Sequence, residues 1–73
     1  MPKVIYSKEH HFTVEQLKKA REEAGLDQVT VAEMLDRTQS YISKIESGQR
    51  RIDVIVLQEF ARIYKKPVEY FLQ

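Results

Sequence analysis

Three side chains that can reach the edges of nucleic-acid bases lie near the middle of the chain. Ser40 and Lys44 fall on one arc of a helix at about 100° per residue, and Gln39 stands at its N-terminal end. In the major groove of DNA glutamine pairs well with adenine and lysine with guanine, while a small serine lets a helix axis approach closely. The spacing therefore predicts a base-reading set, Gln39, Ser40 and Lys44, on one helix.

Positive charge is concentrated around the same stretch. The chain carries 12 basic and 11 acidic residues, a net charge of +1. Residues 37–51 hold four of the bases, Arg37, Lys44, Arg50 and Arg51, and one acid, which leaves the rest of the chain at −2. A local excess of this kind suits a phosphate backbone. We therefore expect Arg37, Arg50 and Arg51 to contact phosphate groups.

Two short helices joined by a tight turn must position these side chains. Apolar residues recur at helical spacing on either side of a polar break: Val31, Ala32 and Leu35 before it, and Ile42 and Ile45 after it. The break consists of Asp36, Arg37 and Thr38 and leaves room only for a turn. Neither helix can bury its apolar face alone, so flanking helices must complete a core. The arrangement is that of a helix-turn-helix, whose second helix can enter the major groove.

Local capping signals set the bounds of five predicted helices. The helices cover about residues 13–24, 28–35, 39–47, 53–64 and 67–72, within a domain of residues 13–73. Their signals are a capping box at Thr13 to Gln16, N-caps at Asp27, Thr38 and Asp53, and stops at Gly25 and Gly48. Residues 1–12 are expected to form an arm, either a short strand around Val4-Ile5-Tyr6 or a disordered segment. Adjacent side chains point in different directions, so no metal site is expected at Glu9, His10 and His11.

Two features of the predicted helices require partners outside an ordinary core. Arg21 falls on the apolar face of the first helix, where it needs a carboxylate or several carbonyls because an unpaired buried charge is very costly. In the fourth helix a second apolar stripe, Ile55, Val56 and Ile63, lies opposite the predicted core face, which consists of Val54, Leu57, Phe60, Ala61 and Tyr64. A helix that is apolar on two faces indicates a second contact surface, so this stripe predicts a dimer interface.

Composition narrows the classes of protein that remain. The 73 residues, 42% of them apolar, suit one small domain, and there is no cysteine for a disulfide or a thiolate metal site. We expect no metal and no cofactor. No apolar run approaches the length of a signal-peptide core or a membrane span, so a cytoplasmic protein without membrane contact is expected. An enzyme is not expected, because a Gly-rich phosphate loop, a cysteine nucleophile and a carboxylate–histidine cluster are all missing from the sequence.

Several segments together resemble the phage-repressor and Cro-like helix-turn-helix family, also called the xenobiotic-response-element type. The matching segments are 17–21 (LKKAR), 25–28 (GLDQ), Val31-Ala32, 39–48 (QSYISKIESG), Leu57, Phe60-Ala61 and Phe71-Leu72. They extend over most of the chain and keep the joint spacing of the family. The resemblance implies an all-α, five-helix, lambda-repressor-like DNA-binding domain.

The same resemblance assigns roles to individual residues. It implies an ion pair between Arg21 and Glu46, which would supply the carboxylate that Arg21 needs. It also implies DNA contacts, to phosphates for Gln28, Thr38 and Ser43 and to bases for Gln39, Ser40 and Lys44. The chain departs from the family where glycine is usual, at Asp36 and Lys65, where an aliphatic residue is usual, at Arg37, and where a polar residue is usual, at Val29. These departures concern the local turn geometry and not the fold.

Sequence-specific transcriptional regulation is the function that these expectations favour. Members of the family are mostly transcriptional regulators, and many bind palindromic operators as dimers, so we expect a homodimeric repressor on double-stranded DNA. The alternative is the antitoxin of a toxin–antitoxin pair, in which the same fold represses its own operon while another surface holds a partner protein. In that case either Val4-Ile5-Tyr6 or the stripe of Val56 and Ile63 would bind the partner.

Overall fold

Four α-helices and one 3₁₀ helix form most of residues 8–72, the part of the chain that the computed structural model describes. The α-helices are α1, Lys8–Glu23; α2, Gln28–Leu35; α3, Gln39–Glu46; and α4, Val54–Tyr64. No strand occurs within these residues, and the all-α prediction is confirmed. The fifth predicted helix, 67–72, is instead a 3₁₀ helix of four residues, Val68–Phe71. The tighter 3₁₀ winding is usual for so short a segment.

The first helix begins at Lys8, well before the predicted start at Thr13. Thr13 is a buried residue in the interior of α1, and its hydroxyl donates a 2.6 Å hydrogen bond to the carbonyl oxygen of Phe71. The predicted capping box is therefore wrong, because this hydroxyl finds its acceptor in a distant segment and not in the local backbone. The predicted arm is also wrong for residues 8–12, which are helical. The proposed strand at Val4-Ile5-Tyr6 lies outside the described residues.

Side-chain caps begin the next three helices, as the sequence predicted. Asp27, Thr38 and Asp53 each have extended backbone and accept a hydrogen bond from the amide three residues later, at 2.8, 3.1 and 2.9 Å. Each bond satisfies one of the amides that the first turn of a helix leaves unpaired. At Asp27 the bond from the backbone of Thr30 is the main reason that the pKa of the carboxyl is lowered.

All four α-helices end in the same geometry, two of them without glycine. The residue after the last turn has a positive φ in each case: Gly25 at 74°, Asp36 at 59°, Gly48 at 82° and Lys65 at 59°. At the end of α2 the N–H of Asp36 donates to Glu33 and the N–H of Arg37 donates to Ala32, which is a Schellman motif. The end of α4 repeats this pattern. Asp36 therefore makes the turn before α3 with the left-handed backbone that glycine would supply.

The core lies where α1, the pair α2 and α3, α4 and the 3₁₀ helix meet. Its largest fully buried side chains are Phe60, Phe71, Leu17, Ile42, Ile45 and Val31. The 3₁₀ helix is joined to α1 by the bond between Thr13 and Phe71, which lie 58 residues apart in the chain. Every helix thus contributes to one core, on which the position of α3 depends.

The inner face of α4 is rotated relative to the prediction. Val56 is 7% exposed and belongs to the core, whereas Val54, predicted to be buried, is 60% exposed. Val56 lies one helical turn before Phe60, a fully buried ring on this face, so the two side chains point in the same direction. The assignment of Val56 to a surface stripe is therefore wrong. Of its two predicted neighbours, Ile55 is 60% exposed and Ile63 packs partly against the core.

The helices also bear on the expectations for membranes and metals. None of the helices within residues 8–72 is long and apolar enough to cross a membrane. In the same part of the chain no three His, Cys, Asp or Glu side chains are placed to hold a metal ion. His10 is instead partly buried, and burial is the main reason that the pKa of its imidazole is lowered.

Replacing Tyr64 by phenylalanine should leave the free energy of unfolding unchanged or raise it by up to about 1 kcal/mol. The hydroxyl of Tyr64 is buried without a hydrogen-bond partner among residues 8–72, and burial raises the pKa of the phenol well above its usual range. The ring itself packs with centroids 5.9 Å from Phe60 and 6.5 Å from Phe71, so Tyr64→Leu should lose about 1 kcal/mol or more. Urea unfolding measures both. A loss above about 1 kcal/mol for Tyr64→Phe would show that the hydroxyl is paired.

Candidate nucleic-acid interface

Helix α3 has one buried apolar face and one exposed polar face. Ile42 and Ile45 are fully buried, which fixes the rotation of the helix about its axis. The exposed side chains are Gln39, Ser40, Ser43 and Lys44. These four are polar or basic, so the accessible side of α3 carries hydrogen-bond donors and acceptors and no acid. The three predicted base-reading residues thus lie on one accessible side of a short helix.

A buried ion pair joins α3 to α1. The guanidinium of Arg21 donates from Nε to Oε2 of Glu46 at 2.8 Å and from Nη2 to Oε1 at 3.1 Å. Its Nη1 donates to the carbonyl oxygen of Leu26 at 3.0 Å. The Glu46 side chain is 4% exposed and the Arg21 side chain 13%, and the hydrogen bond to Glu46 is the main reason that the pKa of Arg21 is raised. Two parallel bonds of this type fix direction as well as distance, so α3 is held in one orientation.

Two glutamine amides extend this ion pair to the exposed end of α3. Nε2 of Gln28, the first residue of α2, donates to Oε1 of Glu46 at 3.1 Å. Nε2 of Gln39 then donates to Oε1 of Gln28 at 3.2 Å. The bond to Gln28 uses one N–H of the Gln39 amide and leaves its carbonyl oxygen and second N–H for a ligand. A continuous chain of hydrogen bonds therefore aligns a predicted base-reading side chain with the protein core.

The predicted phosphate-binding arginines lie at the two ends of α3. Arg37 precedes the helix, and its Cζ is 4.8 Å from the centroid of the Tyr41 ring. Arg50 follows the helix, and its Cζ is 4.6 Å from the same centroid. Nη2 of Arg37 also lies 4.0 Å from Oε1 of Glu59 on α4, and Arg51 is exposed beside Arg50. Arg37 and Arg50 thus come from the two ends of α3, and both guanidinium groups lie against the Tyr41 ring.

The remaining predicted phosphate contacts differ in what they can still donate. The hydroxyl of Thr38 accepts from the N–H of Tyr41 at 3.1 Å, which leaves its O–H able to donate to an anion. Ser43 is exposed on the same side of α3 as Gln39. The amide of Gln28 is engaged at both ends, by Glu46 and by Gln39. Thr38 and Ser43 are therefore better placed than Gln28 to donate to a phosphate. The amide of Gln28 instead holds the side chain of Gln39 in position.

Sequence reasoning missed two parts of this arrangement, the bond between Gln28 and Gln39 and the role of Tyr41. Arg37 and Tyr41 are four residues apart, but Arg37 precedes the extended N-cap Thr38, so the helical spacing rule does not apply to this pair. Arg50 lies in the loop after α3, and no periodic pattern connects it to Tyr41. The amide bond likewise depends on how α2 crosses α3, which the sequence does not state.

Comparison with known proteins assigns this arrangement to a family. Residues 17–71 match the helix-turn-helix family. Over 60 residues the chain is 37% identical to the HTH-type transcriptional regulator PrpR of Mycobacterium tuberculosis. This match covers 82% of the present chain and 12% of PrpR, so the likeness concerns a small part of a much longer protein.

Solved structures share the fold over most of the chain. The restriction-modification controller protein C.AhdI from Aeromonas hydrophila aligns with a TM-score of 0.81 at 21% identity, over 90% of this chain and 100% of C.AhdI. The DNA-binding domain of BldD aligns with a TM-score of 0.81 at 25% identity, over 94% of this chain and 100% of that domain. Both alignments cover the full length of the matched structures.

The same fold also occurs inside an enzyme. Hydroxypropylphosphonic acid epoxidase from S. wedmorenis aligns with a TM-score of 0.82 at 19% identity, over 92% of this chain and 36% of the epoxidase. At that identity the likeness shows the fold alone. The family match and the regulator PrpR confirm the expectation that the chain is not an enzyme, and they confirm the resemblance drawn from the sequence. The chain belongs to the helix-turn-helix family of the Cro and C1 repressor type, most of whose members are DNA-binding transcriptional regulators.

Proposed function

We propose that the chain is a cytoplasmic, sequence-specific regulator of transcription that inserts α3 into the major groove of double-stranded DNA. The observation that carries this proposal is the exposed face of α3, where Gln39, Ser40 and Lys44 lie together. The hydrogen bonds through Gln28 and Glu46 support it, because a reading side chain must be held in a fixed position before binding. Family membership supports DNA as the ligand.

Contacts to phosphates and contacts to bases contribute to binding in different ways. Base contacts carry sequence information, whereas phosphate contacts set register and contribute affinity. Gln39, Ser40 and Lys44 read bases, and the three arginines that flank α3 in the sequence, with Thr38 and Ser43, contact the phosphate backbone. The net charge of +1 makes binding modest without sequence recognition, because few phosphates are neutralised.

The regulator acts as a homodimeric repressor on a palindromic operator. An exposed aliphatic surface at the start of α4 supports this assembly: Val54 and Ile55 are each 60% exposed, and Ile63 is partly exposed farther along the helix. Two copies related by a two-fold axis would place two α3 helices in successive major grooves, about 34 Å apart. Occupancy of an operator that overlaps a promoter excludes the polymerase from the same DNA.

The antitoxin alternative has lost support from the described residues. Of the two surfaces expected to bind a partner protein, one lies at Val4-Ile5-Tyr6, outside the described residues. The other required Val56 on the surface, and Val56 is in the core. Because no specific contact favours a partner protein over a second copy, the homodimeric regulator is the function that we propose.

Selection of bound duplexes from a random DNA library tests the proposed function. We expect enrichment of a short sequence repeated in inverted orientation, with half-site centres about one helical turn apart. Enrichment of a single half-site would refute the dimeric operator but would agree with α3 as the helix that reads the bases. Recovery of unrelated sequences after several rounds would contradict sequence-specific binding.

Replacing Ile55 by aspartate should give a folded monomer. Ile55 is 60% exposed, so the substitution adds no buried charge to the subunit but adds one at the centre of the proposed interface. Operator binding should weaken by about tenfold or more, equivalent to about 1.4 kcal/mol. Analytical sedimentation measures the assembly, with Val29→Asp on α2 as a control at another exposed aliphatic residue. A monomeric parent protein at high concentration, or a dimeric Ile55→Asp variant, would contradict this interface.

A further inference from the structure

The ring of Tyr41 brings together two arginines from opposite ends of α3. Arg37 lies before the helix and Arg50 after it, with their Cζ atoms 4.8 and 4.6 Å from the ring centroid. The face of an aromatic ring attracts a guanidinium because its quadrupole is negative there. Two like charges near one ring repel each other, however. The two guanidinium groups therefore create a local positive potential, and an anion bound there would reduce their mutual repulsion.

The position of Tyr41 makes its ring a fixed platform. Tyr41 lies in the first turn of α3, where its N–H donates to the Thr38 hydroxyl at 3.1 Å, and its side chain packs partly against the core. Arg50, by contrast, lies in the loop between α3 and α4, and its side chain is exposed. A long side chain on an exposed loop samples many rotamers unless a neighbour restrains it. The ring supplies that restraint.

A carboxylate on α4 competes for one of the two arginines. Nη2 of Arg37 lies 4.0 Å from Oε1 of Glu59, and both side chains are partly exposed, at 40% and 34%. A pair of this separation and exposure is weak. Glu59 can therefore be displaced from Arg37 by a stronger anion, and phosphate binds a guanidinium through two parallel bonds.

We infer that Tyr41 is a positioning residue that holds Arg37 and Arg50 as a paired phosphate-binding site for the DNA backbone, with Glu59 as the competing anion in the free protein. The inference rests on the proposed function, since it requires α3 to enter the groove. It deepens that function by assigning affinity for the backbone to an aromatic side chain that contacts no DNA itself. Binding gains from the ring because the two arginine rotamers are already restricted before DNA arrives.

Nuclear magnetic resonance on the free protein tests the arrangement without DNA. Protons on Cδ of Arg37 and Arg50 should be shifted upfield by the ring current in the parent and in Tyr41→Phe. In Tyr41→Leu, which keeps an apolar side chain for the core, these shifts should disappear. Unshifted arginine signals in the parent would overturn the inference whatever the protein binds.

Binding titrations then test the function of the pair. Tyr41→Leu should weaken binding about tenfold on the selected duplex and on a scrambled one. Tyr41→Phe, which keeps the aromatic ring, should bind both duplexes with the affinity of the parent. In a background of Arg37→Ala with Arg50→Ala, Tyr41→Leu should change affinity by less than about twofold, because the side chains that it positions are gone. Glu59→Gln should strengthen binding to both duplexes.

The outcomes separate this inference from the proposed function. An equal loss from Tyr41→Leu with and without the two arginines would show a merely structural role and overturn the inference, while the proposed function would stand. Unchanged binding by Tyr41→Leu would overturn it as well. A parent protein that enriches no sequence and binds no duplex would refute the proposed function and the phosphate site together.

Discussion

Replacing Glu46 by alanine should lower the free energy of unfolding by about 3 kcal/mol or more. The Glu46 side chain is 4% exposed and accepts three hydrogen bonds, two from Arg21 and one from Gln28. Without this carboxylate the guanidinium of Arg21 stays largely buried, with the Leu26 carbonyl as its remaining acceptor. A buried charge without a counter-charge is strongly destabilising, and a domain of this size has a total stability of only about 5–15 kcal/mol.

Glu59→Ala is the matched control for this prediction. Glu59 also pairs with an arginine, Arg37, but at 4.0 Å and with a side chain that is 34% exposed. Water and salt screen such a pair, so its loss should cost less than about 1 kcal/mol. Urea unfolding of the parent and both variants gives the comparison. Similar, small losses for Glu46→Ala and Glu59→Ala would show that the inner ion pair does not anchor α3.

The predictable parts of the fold are those that depend on neighbours in the chain. Asp27, Thr38 and Asp53 are N-caps because each carries an acceptor oxygen three residues before an unpaired amide, and the sequence shows this directly. Thr13 carries the same local signal, but its hydroxyl donates instead to the Phe71 carbonyl, so α1 begins earlier at Lys8. A cap is predicted correctly only where no tertiary partner takes the side chain.

The face of a helix is harder to predict where apolar residues surround it. In α4 both Val54 and Val56 are aliphatic, and periodicity alone does not decide which is buried. The decision depends on Phe60, whose fully buried ring fixes the direction of the core and includes Val56 on the buried side. In α3 the same reasoning succeeded, because Ile42 and Ile45 are the aliphatic residues of that helix and polar side chains occupy the rest.

The sequence predicted which residues form the candidate site but not the contacts between them. An arginine on an apolar arc requires a carboxylate, which the sequence indicated for Arg21 before the structure placed Glu46 beside it. The exposure of Gln39 and Lys44 also followed from helical spacing. The bond from Gln39 to Gln28 and the contact of Arg50 with the Tyr41 ring each join side chains from different segments of the chain, so they depend on packing.

Replacing Lys44 by alanine should weaken binding to the preferred duplex by about 1–3 kcal/mol and relax the preference at particular base pairs. Lys44 is exposed on the reading side of α3, and its ammonium group can donate to the acceptors that guanine presents in the major groove. Gln39→Ala should cause a similar loss of affinity and relax the preference at a different base pair, because the Gln39 amide lies at the N-terminal end of the helix. Neither substitution removes a buried group, so both variants should fold as the parent does.

Replacing Arg51 by alanine should weaken binding without changing the preference for particular base pairs, in contrast to Lys44→Ala. Arg51 is exposed in the loop after α3, where the proposed complex places the phosphate backbone. Loss of one phosphate contact should weaken binding to every duplex by a similar factor. It should also reduce the slope of log affinity against log salt concentration by about one unit.

The most direct test that α3 is the reading helix is a set of binding titrations of the parent, Lys44→Ala and Arg51→Ala. Each protein is titrated against the duplex selected from the random library and against a scrambled duplex, at several salt concentrations. We expect Lys44→Ala to lose affinity mainly for the selected duplex and Arg51→Ala to lose affinity equally for both. If Lys44→Ala and Gln39→Ala lowered affinity equally for the selected and scrambled duplexes, α3 would not be the reading helix, and its placement in the major groove would be wrong.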